Sequence, residues 1–107
     1  LHSLGRTQED EVRPSLSLLD KKDAIRTVVE AHRASNPRIF GSAASGSDSV
    51  GSDLDILIDP GPFMTLLDVG AIRYELRELL GVDVDVFTPG ALPATFRSKV
   101  LAEAVQI

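Results

Sequence analysis

Gly41-Ser42-Ala43-Ala44-Ser45-Gly46-Ser47-Asp48-Ser49-Val50-Gly51-Ser52-Asp53-Leu54-Asp55-Ile56-Leu57-Ile58-Asp59 is the stretch on which the reading of this 107-residue chain turns. Its second half alternates: Leu54, Ile56 and Ile58 are apolar, whereas Asp53, Asp55 and Asp59 are acidic, and only Leu57 breaks the pattern. Strand side chains point to opposite faces in turn, so the run predicts a strand over Leu54 to Ile58 with one buried face and one carboxylate face. The first half carries almost no side-chain bulk and predicts a small-residue loop. Before it, Arg38-Ile39-Phe40 is a short β-prone run that stops at Gly41.

Upstream of that strand, Ser17 and Asp20 have the spacing of a capping box, and Leu18, Ile25, Val28, Val29 and His32 recur at helical intervals. They predict a first helix running to about Ala34 and closed by Asn36-Pro37. Residues 1–14 are polar and acid-rich without periodicity, so they read as a flexible N-terminal arm, with the folded domain spanning 15–107. Downstream, Asp59-Pro60-Gly61-Pro62 reads as a turn. Thr65 with Asp68 forms a second capping-box pattern, and Val69, Ile72, Leu76, Leu79 and Leu80 mark one face of a helix that Gly81 should close. Val82-Asp83-Val84-Asp85-Val86-Phe87 alternates again as a third strand, ended by Thr88-Pro89-Gly90. Pro93 then opens a final helix whose apolar positions are Phe96, Val100, Leu101 and Ala104. The expected fold class is α/β (α+β): a small mixed three-stranded sheet with helices packed on it.

Composition narrows the functions available. A net charge of -5 with no basic run argues against direct nucleic-acid binding, which rests on clustered Lys and Arg. The absence of cysteine removes thiolate chemistry, and two isolated histidines make no histidine-based metal site, so carboxylates are the ligands left for any metal. No apolar stretch approaches the roughly 20 residues that span a bilayer, and a cytoplasmic location is the default expectation.

Asp53 and Asp55 must share a face, about 7 Å apart along the strand, and such carboxylates repel unless a cation sits between them. Asp85 reaches the same face if the two strands are neighbours, with Asp83 as its competitor. Three converging carboxylates suit Mg²⁺, a hard cation that keeps waters and substrate phosphates in its shell, which points to a nucleoside triphosphate as substrate. Gly41 lets the backbone approach a phosphate and Ser42 offers a hydroxyl, while Ser52, beside Asp53, is expected to orient the loop and is grouped with them as nucleotide-binding. The remaining polar residues have blander readings: Asp59 as a turn former, Asp48 as a solvated loop residue, and His32 as a packed or hydrogen-bonded histidine.

The run from Phe40 to Gly46, followed by Ser52 to Asp59 and by Val84-Asp85-Val86-Phe87-Thr88-Pro89, resembles the signature of the minimal nucleotidyltransferase domains, relatives of the DNA polymerase beta palm. Glycine-serine, ten intervening residues and Asp-x-Asp make a specific pattern, and the resemblance covers about Ser15 to the C-terminus. It implies Asp53 and Asp55 as ligands of two Mg²⁺ ions, Asp85 as a ligand of one, and Gly41-Ser42 as the clamp for the triphosphate of ATP. Family members commonly carry arginines where this chain has Ala43 and Ser45, leaving Arg38, Arg97 and Lys99 as candidates to supply that charge. Short stand-alone domains of this kind resemble antitoxins that add AMP to a tyrosine of HEPN-type ribonuclease toxins. The resemblance therefore implies a toxin partner and an antitoxin role, alone or as a homo- or hetero-oligomer. Two alternatives are a non-catalytic toxin-binding module and an aminoglycoside-type small-molecule transferase, the latter disfavoured because those enzymes usually carry a further substrate domain.

Overall fold

A computed structural model describes residues 13–107. Most of the arm expected over residues 1–14 lies outside the described residues. Its last two members, Arg13 and Pro14, are described, and Pro14 is buried at the first position of a short helix, α1 (Pro14–Ser17). The Ser17 hydroxyl donates back to the Pro14 carbonyl at 3.1 Å instead of capping forward, so the long helix does not begin there. It begins at Lys22 as α2 (Lys22–Ala31), with Ile25 and Val29 buried one turn apart and Asp23 in the first turn, where a carboxylate suits the helix dipole.

Asn36-Pro37 does not follow a helix, as the spacing suggested, but lies inside β1 (Ala34–Phe40). The pairing register with the next strand shifts between Ser35 and Arg38, and Asn36 takes a positive φ of 53°. Asparagine tolerates that conformation and proline has no N–H to lose from the ladder, so the dipeptide occupies a β-bulge. A four-residue helix, α3 (Ser42–Ser45), follows, and then β2 (Leu54–Pro60), whose last two residues extend the strand through the expected turn.

The next helix, α4 (Leu66–Leu80), has the expected box: the Thr65 N–H donates to Asp68 at 2.9 Å, and Gly81 closes the helix in the left-handed region. β3 (Val84–Phe87) is shorter than its alternation suggested, although the Leu54 N–H still donates to the Asp83 carbonyl at 2.8 Å. A 3₁₀ turn (Pro89–Ala91), α5 (Ala94–Glu103) and β4 (Val105–Gln106) complete the chain.

The sheet has four strands rather than three, in the order β3-β2-β1-β4. β1 is antiparallel to β2 and β4, whereas β2 and β3 are parallel and joined by α4 as crossover. One face forms the main core: Leu54, Ile56 and Ile58 of β2 and Val84 of β3 pack against Ile25 and Val29 of α2 and Ile72, Leu76 and Leu80 of α4. The other face is divided. At one end, fully buried Leu57 packs with Leu92 and Val100, edged by Phe40 and Phe87 in a T-shaped contact at 5.4 Å. Leu57, the single break in the acidic alternation, is apolar because this second small core covers it. At the other end of that face stand the carboxylates. Among the described residues, no helix is long and apolar enough to cross a membrane.

Candidate active site

Parallel pairing fixes the site. Leu54 is opposite Val84, Asp55 opposite Asp85, and Leu57 opposite Phe87, so the Asp55 and Asp85 carboxyls leave the same face of neighbouring strands at the same level. Directly opposed like charges on adjacent strands are unfavourable, and Asp53, just before β2, adds a third negative charge nearby. The consequence is visible at Asp55, whose carboxyl is pushed above the usual carboxylate range, first by burial, then by the negative charges of Asp85 and Asp53. Asp53 itself is exposed, and Asp55 and Asp85 are half-buried.

Gly41 adjoins this group. Phe40, at the end of β1, is paired with Asp55, and the chain then turns with Gly41 at φ 72° and ψ -149°, a combination that only glycine adopts without strain. A Cβ on Gly41 would sit 2.8 Å from Asp55 Oδ2. The backbone conformation therefore calls for glycine, and a larger residue would also displace the Asp55 carboxylate. Ser42 follows as the first residue of α3. Ser52 is turned toward its own loop: its N–H donates to the Ser49 carbonyl at 3.0 Å and its hydroxyl accepts from the Ser49 N–H at 3.0 Å, shaping the turn that delivers Asp53.

Other polar residues lie apart from this group. Asp83 is exposed and paired with Arg77 at 3.2 Å. Asp59 is no turn former: it lies in β2, accepting from Arg38 at 2.5 Å and from Asn36 at 3.0 Å. His32 is on the helix-covered side, bonded to Glu75 and 3.9 Å from Asp68. Asp48, expected to be solvated, is buried and accepts from the Ser15 N–H and hydroxyl, each at 2.8 Å, and from Arg13 at 3.1 Å. Its partners lie 33 and 35 positions away, so no local pattern could have marked it.

Of the cations considered for the missing loop arginines, Arg38 is committed to Asp59, and Arg97 donates to the Leu92 carbonyl at 2.8 Å. Lys99 is exposed. Ala43 is buried at the edge of the main core, whereas Ser45 is exposed.

Among the described residues, no three acidic or histidine side chains stand close enough to make a finished cation cage. The donor chemistry nevertheless fits magnesium, which is held by one or two carboxylates together with waters and substrate phosphates rather than by an all-protein cage. Asp55, half-buried and repelled by two neighbouring carboxylates, is the group whose charge a divalent cation would relieve.

Comparison with known proteins accords with this geometry. Residues 22–107 match the family model described as a nucleotidyltransferase domain. A protein of Methanocaldococcus jannaschii, named provisionally as a protein adenylyltransferase, is 34% identical over 92 residues, covering 86% of this chain and 99% of its own. A solved structure named provisionally as a minimal nucleotidyltransferase superposes with a TM-score of 0.79 at 34% identity, covering 87% of this chain and 95% of that one. A toxin–antitoxin complex crystallised with AMP-PNP shares the fold, with a TM-score of 0.68 at 18% identity over 79% of this chain and 70% of that one.

Proposed function

Because this chain belongs to the nucleotidyltransferase domain family, we propose that it transfers AMP from ATP to a hydroxyl of a partner protein, and that the partner is a HEPN-type ribonuclease toxin silenced by the modification. The observation that carries the reading is the in-register placement of Asp55 and Asp85 on parallel strands, with Gly41 pressed against the Asp55 carboxylate.

In this reading Gly41 and Ser42 hold the triphosphate, the glycine by allowing close backbone approach and the serine through its hydroxyl. Asp53, Asp55 and Asp85 would hold two magnesium ions, which supply neutralisation of phosphate charge and acidification of the acceptor hydroxyl. Asp85 accepts the proton of that hydroxyl. The acceptor oxygen forms a bond to the α-phosphorus, the bond from that phosphorus to the bridging oxygen of the β-phosphate breaks in line, and pyrophosphate leaves. Transfer of this kind asks the protein for position and charge compensation more than for covalent chemistry. Asp55 is poised for that compensation, since its charge is unfavourable until a cation arrives.

Two likenesses support the acceptor and partner: the 34% identical relative named for protein adenylylation, and the fold shared with a chain of a toxin–antitoxin structure crystallised with AMP-PNP. Ala43 and Ser45, standing where the family usually has arginines, favour a second reading in which the chain neutralises the toxin by binding alone. Incubating the chain with a purified HEPN-type toxin and MgATP, then weighing the toxin by intact-mass spectrometry, separates the two. Addition of one AMP to a toxin hydroxyl, lost with Asp55→Asn, is the expected result; tight binding without a mass change would replace transfer by occlusion.

A further inference from the structure

The loop from Gly41 to Ser52 must hold the candidate phosphate-binding residues in place, yet its small side chains give it little apolar packing. Ala43 and Asp48 are its only buried members. Gly46 and Gly51 take positive φ values of 76° and 88°, so two of its turns have little resistance of their own to rearrangement. Its fastening is polar and long-range. Asp48 has no exposed side-chain surface and is the only buried charged residue among those described. A buried carboxylate is tolerable only when its lone pairs are satisfied, and here three donors from α1 and the residue before it supply them: the Ser15 N–H, the Ser15 hydroxyl and the Arg13 guanidinium. The same Arg13 nitrogen donates to the Gly46 carbonyl at 3.2 Å, so the loop is gripped at two points.

We propose that Asp48, held by Arg13 and Ser15, is a positioning residue that sets the Gly41–Ser52 loop in the shape presenting Gly41 and Ser42 beside Asp55; this rests on the nucleotide-transfer reading above. Arg13 and Ser15 precede the segment that matches the family model, residues 22–107. Burial would raise the Asp48 carboxyl, but hydrogen bonds from Ser15 and Arg13 outweigh it and hold the group below the usual range, as expected of a fully satisfied anion. Losing one partner leaves the rest of the network buried and short of a bond, which disturbs the loop more than loss of a surface contact would.

The test uses the full chain and compares Asp48→Asn, Arg13→Ala, Arg13→Lys and the milder Ser15→Ala by steady-state AMP transfer, thermal melting and amide hydrogen exchange over residues 42–52. Asp48→Asn and Arg13→Ala are expected to raise KM for ATP by roughly tenfold, the scale of one charged hydrogen bond, with little change in kcat per folded molecule. Exchange in the loop should quicken in both, Ser15→Ala should do the same more weakly, and Arg13→Lys should recover part of the loss. Unchanged KM and loop exchange would overturn the proposal, as would a lowered melting temperature with KM intact, which is the signature of a purely structural tie. If the unaltered chain neither binds nor transfers nucleotide, the nucleotide-transfer reading falls and the positioning role with it, even where Asp48→Asn still quickens loop exchange.

Discussion

Substituting Gly41 by alanine isolates the contact that couples loop to carboxylate. Two costs are involved. The first is conformational: at φ 72° and ψ -149° a residue with a Cβ is strained by about 1–3 kcal/mol. A value near 2 kcal/mol lowers the melting temperature of a domain this small by roughly 8–16 °C. The second is local, because the added Cβ would meet Asp55 Oδ2 at 2.8 Å, well inside ordinary contact distance, and either the carboxylate or the backbone must move by several tenths of an ångström. A misplacement of about 1 Å at a reacting centre costs roughly a hundredfold in rate, so a shift of several tenths should lower transfer by a smaller but measurable factor. Gly81→Ala is the control for positive φ without the clash, since Gly81 has φ 71° and ψ 19° in the milder left-handed helical region and a Cβ there meets nothing within 4 Å. Both variants should melt lower in differential scanning fluorimetry. Only Gly41→Ala should slow AMP transfer, assayed with ATP labelled at the α-phosphate below saturation. Equal transfer by the two, after correction for folded fraction, would refute the coupling of Gly41 to Asp55.

Because the Asp55 carboxyl is raised in the folded state, its ionisation opposes folding: stability is higher below the usual carboxylate range and is lost as pH rises through the folded value. Asp55→Asn in EDTA should therefore melt higher than the unaltered chain at neutral pH, with the gain vanishing on acidification, while transfer is abolished. Asp48 has the opposite sign, since its lowered carboxyl stabilises the fold above the unfolded value and loses that contribution as pH falls through the folded one. Asp48→Asn should melt lower at pH 7, and the gap should narrow in acid titrations of the melting temperature. Finally, with no finished cation cage among the described residues, Mg²⁺ alone should raise the melting temperature little, and Mg²⁺ with ATP distinctly more. A full shift with Mg²⁺ alone would contradict the role given to substrate phosphates as ligands.

Local chemistry made much of the architecture legible. Alternation at Leu54–Ile58 and Val84–Phe87, the Thr65–Asp68 box and the Gly81 stop each act within a few residues, and each has its counterpart in the structure. Where tertiary partners decided, the sequence was silent. The Ser17 hydroxyl turned back to Pro14, a bulge absorbed Asn36-Pro37, and β4 is a two-residue strand defined only by its pairing with Arg38 and Ile39. The same divide runs through the candidate site. That Asp53 and Asp55 stand near each other follows from their spacing, whereas Asp85 standing level with Asp55 depends on a parallel register. The close approach of Gly41 and the burial of Asp48 depend on contacts across the fold.

Crystals of the chain grown with a non-hydrolysable ATP analogue and Mn²⁺ in place of Mg²⁺ would test the central assignment most directly through the anomalous signal of manganese. Metal peaks are expected bounded by the carboxyls of Asp53, Asp55 and Asp85, with the triphosphate lying along Gly41 and Ser42. Manganese and nucleotide found together elsewhere on the molecule, with those three carboxyls unliganded, would contradict it.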